Sequence, residues 1–139
     1  MDSPSPASVV VADANALLAI VIGKAASKVL LTEIGIHTTE FTWAEMDRHL
    51  DGLCAQYGED PLVLRQVLPY FRIVRHSKPF YSRFMRQASV LMEEKDPDDV
   101  ELAALALKLK APIWSNDNHF RNFVTGRYTT AQLLKACGF

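Results

Sequence analysis

Residues 8–12, SVVVA, form a short β-branched run that stops at Asp13, and a run of that length and composition predicts a buried central strand. Asn15 to Val21 then reads as helix, Gly23 breaks it, and Ala25 to Glu33 resumes a helical pattern before Gly35. A second strand is predicted at Ile36 to Thr38. Thr42 is the expected N-cap of the next helix, with Glu45 three residues on at capping-box spacing, and Gly58 closes that helix after Tyr57. Asp60-Pro61 starts a further helix that ends near Pro69. The third strand is placed at Phe71 to Val74, followed by one long helix from about Pro79 that carries Arg83, Arg86, Leu91 and Glu94. Asp96 caps a helix with Pro97 at its first position and an Ala/Leu-rich body through Lys110. Ile113-Trp114 is the fourth strand, a short helix covers His119 to Phe123, and a weak fifth strand falls within Val124 to Tyr128. Thr129 or Thr130 caps a last helix over Ala131 to Ala136.

Strands alternating with helices imply an α/β fold with a mostly parallel sheet covered on both faces. The 139 residues fit a single domain, 1–139, whose core buries roughly two thirds of the unfolded surface. With 49% hydrophobic and 22% charged residues and no apolar run near the ~20 residues of a membrane helix, the expectation is a soluble, cytoplasmic protein with no membrane partner. The first seven residues, MDSPSPA, lack the features of a signal peptide and read as a disordered lead-in. Cys54 and Cys137 share no motif spacing and read as inert free thiols.

The net charge of -1 conceals a partition. Residues 61–92 contain no acid, and carry Arg65, Arg72, Arg75, Lys78, Arg83 and Arg86 together with His76 and the aromatics Tyr70, Phe71, Phe80, Tyr81 and Phe84. Arg72, Arg75, Lys78, Arg83 and Arg86 are candidates for nucleic-acid contact, because phosphate contacts supply most non-specific affinity and aromatics stack on unpaired bases. The competing reading has Phe71 and Phe80 in the core and the arginines solvating a helix face.

Four acids fall where a parallel sheet gathers its carboxyl edge: Asp13, Glu45, Asp99 and Asp117. Each also has a structural reading. Asp13 and Asp117 can be N-caps, Glu45 the far half of the Thr42 capping box, and Asp96, Asp98 and Asp99 a helix start favoured by the macrodipole. Asp99 stands out because Ala103 and Ala106 share its face and leave room for a pocket. Clustered carboxylates repel unless a cation compensates them. Hard oxygen donors without grouped Cys or His favour Mg²⁺ or Mn²⁺ over zinc, and such sites perform phosphoryl chemistry. His119 lies near a candidate ligand, where a surface or capping role is expected of it.

Taken in order, VVADANALL, TWAEM, DPDDVELAALAL and IWSNDNHF resemble the motifs of the PIN-domain family, which includes the VapC-like toxin ribonucleases of toxin–antitoxin pairs. The resemblance spans nearly the whole chain. It implies a three-layer α/β/α sandwich with about five strands and a Mg²⁺- or Mn²⁺-dependent endoribonuclease site. Carried onto this sequence, Asp13, Glu45, Asp99 and Asp117 form the acidic quartet, Asn15 and Ser115 position water or phosphate, and Asp96 supports the ligands. It also implies homodimerisation and a protein inhibitor (antitoxin). Many relatives carry a further acid just after the fourth, where this chain has Asn118 and His119.

The expected function is thus metal-dependent hydrolysis of RNA. The alternative is a non-catalytic RNA- or protein-binding module that keeps the fold. A receiver-type phosphorylation switch requires a lysine after its last strand and an acidic pair past the first, and neither is in place. No G-x-G-x-x-G follows the first strand, which ranks dinucleotide binding lower still.

Overall fold

The structure is a computed structural model that describes residues 8–92 and 97–139. Readings that fall on the first seven residues, on Glu94 and Asp96, or on the Asp98 side chain lie outside the described residues.

Five parallel strands, β1 (Val9–Ala12), β2 (Gly35–Thr39), β3 (Ile73–His76), β4 (Ile113–Trp114) and β5 (Arg127–Tyr128), form one sheet in the order β3-β2-β1-β4-β5. β1 lies at the centre because its Val10, Val11 and Ala12 can be buried on both faces without a polar atom. Val10, Ala12, Ile36 and Trp114 pack on one face with α1 (Ala14–Ile22), α2 (Glu40–Tyr57) and, at its margin, α7 (Thr130–Ala136). Val11 and Ile113 pack on the other with α4 (Lys78–Tyr81), α5 (Met85–Met92) and α6 (Pro97–Leu109). The seventh helix, α3 (Pro61–Val67), starts from the Asp60 cap and buries none of its residues. The result is the expected three-layer α/β/α sandwich.

From β1 the chain builds β2 and β3 outward on one side, then crosses to place β4 and β5 on the other. The strand order reverses between β1 and β4, and open α/β sheets bind ligands in the crevice beyond the carboxyl ends at such a point.

Several local expectations are corrected. α2 is capped by Thr39, one turn before Thr42: the Thr39 hydroxyl accepts from the Thr42 N–H at 2.8 Å and donates to the Thr42 hydroxyl at 2.7 Å. Strand β2 passes into helix without a loop, so Thr42 is a buried third residue of α2 and Glu45 has no capping box to complete. Residues Ala25–Leu31 are a 3₁₀ helix, tighter than the expected α-helix. The third strand lies two residues later than expected, at Ile73–His76, since Arg72 turns away to donate to the Leu30 and Thr32 carbonyls, each at 2.7 Å. The long helix expected from Pro79 is broken by a 3₁₀ turn, Ser82–Phe84. Tyr81 causes the break: it is buried and its hydroxyl donates to Glu101 of α6 at 2.6 Å, which fixes the chain before it can continue straight. Phe80, expected in the core, is 40% exposed and stacks on His76 at 4.3 Å. The short helix expected at His119 to Phe123 is a 3₁₀ turn, Asn118–Phe120.

Cys54 and Cys137 are free thiols. No single helix among the described residues is long and apolar enough to cross a membrane. The pair α1 plus Ala25–Leu31 passes by length and composition only, bends by 85°, and buries Leu17, Ile20 and Val29 in the core.

Candidate metal centre

The chain leaves β1 through Asp13, whose backbone N–H still donates to the Trp114 carbonyl at 3.1 Å and so stays in the sheet. Extended backbone at Asp13 makes it the N-cap of α1, and its Oδ1 accepts from the Ala16 N–H at 2.8 Å. The Ser115 hydroxyl donates to Oδ2. Capping occupies part of the carboxylate and leaves lone pairs over, since an ionised carboxylate offers about four. The N-cap and ligand readings of Asp13 are therefore compatible.

Ser115, fully buried directly after β4, couples two acids. Its Oγ donates to Asp13 and accepts from the Asp117 N–H at 2.9 Å. Asp117 in turn caps the turn Asn118–Phe120 through an N–H bond from His119 at 2.9 Å. From β5, Arg127 reaches across to donate to the Ser115 carbonyl at 3.1 Å and the Asp117 carbonyl at 3.2 Å. Asn116 accepts from the Thr130 N–H at 2.8 Å, tying the same loop to α7.

Asp99, in the first turn of α6, stands above Ala103 and Ala106, which are wholly buried against the sheet. Its carboxylate is 15% exposed and its Oδ2 lies 2.8 Å from His119 Nδ1, which is also 3.5 Å from Asp117 Oδ2. Glu45 arrives from the second turn of α2. Asp13, Asn15, Thr42, Glu45, Asp99, Leu102, Asp117 and His119 together line one cleft of about 130 Å³.

All four acids expected at the sheet edge thus meet in one cleft, with Asn15 at its wall and Ser115 behind it. Asp96 lies outside the described residues. Arg72, Arg75, Lys78, Arg83 and Arg86 are exposed and none lines the cleft. Arg75 stacks over Trp43 at 4.6 Å, and Arg72 is spent on backbone carbonyls. His119, expected on the surface or as a cap, is 44% exposed and also bridges two of the acids; its position two residues after Asp117 is a local signal for that one contact and not for Asp99. Arg127 and Thr42 carry no such signal, Arg127 because its strand is only two residues long and Thr42 because its spacing to Glu45 points to a cap.

Burial holds the Asp13 carboxyl above the usual carboxylate range. The Ser115 and Ala16 bonds oppose this, while Asp117 and Asp99 add to it by like-charge repulsion. A desolvated carboxylate thus faces other acids at the bottom of the cleft, and the donors are hard oxygens, a set that suits a divalent cation with water completing its shell. Among the described residues, no three His, Cys, Asp or Glu side chains are already closed around a common point in the manner of a finished ion cage. The acids hold one another through Ser115 and His119 instead.

A family model described as PIN domain matches residues 11–133, from within β1 to within α7. The chain belongs to the PIN-domain family. PIN domains are generally nucleases and typically use divalent metals, and the cleft of this PIN domain has the donors for one. Comparison with curated proteins gives no significant match.

Proposed function

We propose that this PIN domain is an endoribonuclease that hydrolyses RNA phosphodiester bonds with Mg²⁺ or Mn²⁺, held by Asp13, Glu45, Asp99 and Asp117. The observation that carries the reading is the convergence of these acids, from four different elements, on a single cleft at the strand-order reversal. A bound divalent ion supplies an activated water and charge neutralisation at the phosphate. The residues of the chain do the positioning. Ser115 fixes the carboxylate of Asp13 and the backbone of Asp117 with one hydroxyl, Arg127 holds the loop that carries them, and the Asn15 amide offers a donor to a phosphate oxygen at the wall. An RNA panel incubated with Mn²⁺ tests this. Cleavage should fall by at least ~100-fold in Asp13→Asn and Asp117→Asn, of the order of losing one group that holds a metal; equal cleavage by wild type and variants defeats the proposal.

The finer reading makes the protein the cytoplasmic toxin of a toxin–antitoxin pair, a homodimer restrained by a protein inhibitor. Growth arrest on expression, relieved by Asp13→Asn, is its expected signature. The exposed apolar residues Leu62, Val63 and Tyr70 in and after α3 offer surface for self-association, which sedimentation of a Leu62→Asp variant checks. The competing reading is a binding module whose metal site has lapsed; among the described residues no three donors are already closed around a common point. Calorimetric titration with Mn²⁺ separates the two, because a lapsed site gives no heat that Asp117→Asn abolishes.

A further inference from the structure

We propose that His119 is a direct ligand of the bound ion and sets the site's preference for Mn²⁺ over Mg²⁺, an inference that rests on the metal-site reading above. The imidazole is held in place on both sides. The backbone N–H of His119 donates to Asp117, and the next residue, Phe120, is buried and packs edge-on against Phe123 at 6.3 Å. On that anchored turn Nδ1 comes within 2.8 Å of Asp99 Oδ2 and 3.5 Å of Asp117 Oδ2, two carboxylates from separate elements. Neighbouring donors around a six-coordinate ion with bonds of about 2.1 Å lie about 3 Å apart. The nitrogen therefore stands at ligand-to-ligand spacing from two of the acids, inside the cleft that all four line. In the metal-free protein Nδ1 donates its proton to the Asp99 carboxylate; on ion binding that hydrogen bond is given up, the proton sits on Nε2 instead, and the Nδ1 lone pair faces the ion.

The consequence is selectivity. Mg²⁺ favours oxygen donors and water, whereas imidazole suits the transition series, so one nitrogen among carboxylates tilts the site toward Mn²⁺. The His119 variants assign the signal of this nitrogen: His37 and His76 bond each other at 2.8 Å, and His49, which shares the adjoining groove with Glu45, is intact in those variants.

Electron spin-echo envelope modulation of Mn²⁺ added to the full chain should show coupling to a nitrogen nucleus, and the coupling should vanish in His119→Asp and His119→Asn. In calorimetry with Mn²⁺ and Mg²⁺ alone, the Mn²⁺-to-Mg²⁺ affinity ratio should fall by roughly tenfold in both variants, the lower end of the usual effect of losing a metal-supporting group. Circular dichroism confirms that the variants fold. Bound Mn²⁺ without nitrogen coupling, or an unchanged ratio, overturns the role of His119 and leaves the metal site standing. Wild type that binds neither ion overturns both.

Discussion

Asp13 closes the central strand, caps α1, receives the Ser115 hydroxyl, and faces Asp99 and Asp117 across the cleft. These tasks conflict electrostatically in the metal-free protein. The folded carboxyl titrates above its unfolded value of 3.8, so at neutral pH its charge opposes folding. That cost is relieved as pH falls through the folded pKa toward 3.8, the reverse of a salt-bridged aspartate. Asparagine keeps the cap, since Asn and Asp are comparable at that position. Asp13→Asn should therefore raise the metal-free Tm at pH 7. Saturating Mn²⁺ should stabilise wild type by about 2.7 kcal/mol at a hundredfold excess over Kd, and the variant hardly at all. Thermal melts in chelator and in Mn²⁺ read both effects, and a variant that melts below wild type in chelator refutes the electrostatic account. The four acids were legible in the sequence because Asp13, Asp99 and Asp117 lie at or near the ends of apolar segments and Glu45 follows close on the second strand. His119 was not, because its meaning depends on Asp99, twenty residues away on another helix. Ser115 was legible only through family resemblance, since nothing local to it reveals a partner at Asp13.

Helix and strand ends decide where those side chains arrive, and the two that matter most here are held by small polar contacts. Thr39 caps α2, so Thr39→Ala should cost about 1–2 kcal/mol and release the turn that leads to Glu45, lowering both Tm and Mn²⁺ affinity. Thr42→Ala removes only the hydroxyl partner and should cost less; the reverse ranking would restore the Thr42 cap expected from sequence. That expectation failed because Thr42-x-x-Glu45 has the right spacing by coincidence, and the loop it presupposed does not exist between β2 and α2. The outer sheet edge shows a second device. His37 of β2 and His76 of β3 share a hydrogen bond at 2.8 Å, and His76 stacks on Phe80 of α4, over which Lys108 of α6 lies at 5.1 Å. Burial lowers the pKa of both histidines below 6.5, and for His37 the neighbouring His76 adds to this. The unfolded chain therefore takes up protons first, and stability that is complete above pH 6.5 declines as pH falls below it. A His37→Gln, His76→Gln variant should show a shallower fall of Tm between pH 7.5 and 5.5 in chelator. A fall as steep as that of wild type would assign the pH dependence to other groups. The strand–helix alternation was readable throughout, whereas the break at Ser82–Phe84 was not, since it follows from the buried contact of Tyr81 with Glu101.

Over the whole molecule, the acid-free stretch of residues 61–92 turns out to be basic in sequence and divided in space. Arg65 is paired with Asp47 and Asp51, Arg72 with the Leu30 and Thr32 carbonyls, and Arg75 with the Trp43 ring. Arg83 and Arg86 are exposed in the segment that packs on the opposite face of the sheet from α1 and α2. Linear clustering of charge therefore overstates the patch an RNA would meet, because folding commits three of the cations to the protein itself. This division separates two kinds of arginine by experiment. Neutralising a residue that contacts phosphate reduces the slope of log K against log salt by about 0.7 for single-stranded RNA. Arg83→Ala and Arg86→Ala should each show that reduction with little change in Tm. Arg72→Ala should leave the slope unchanged and lower the Tm slightly instead, since it removes two exposed hydrogen bonds whose carbonyls water can take over, at a net cost of about 0.5–1.5 kcal/mol. RNA affinities measured from 50 to 300 mM salt, beside thermal melts of the same proteins, discriminate. If Arg72→Ala flattens the slope while Arg83→Ala and Arg86→Ala do not, the RNA path runs along the β3 edge of the sheet and the assignment of the two groups is reversed.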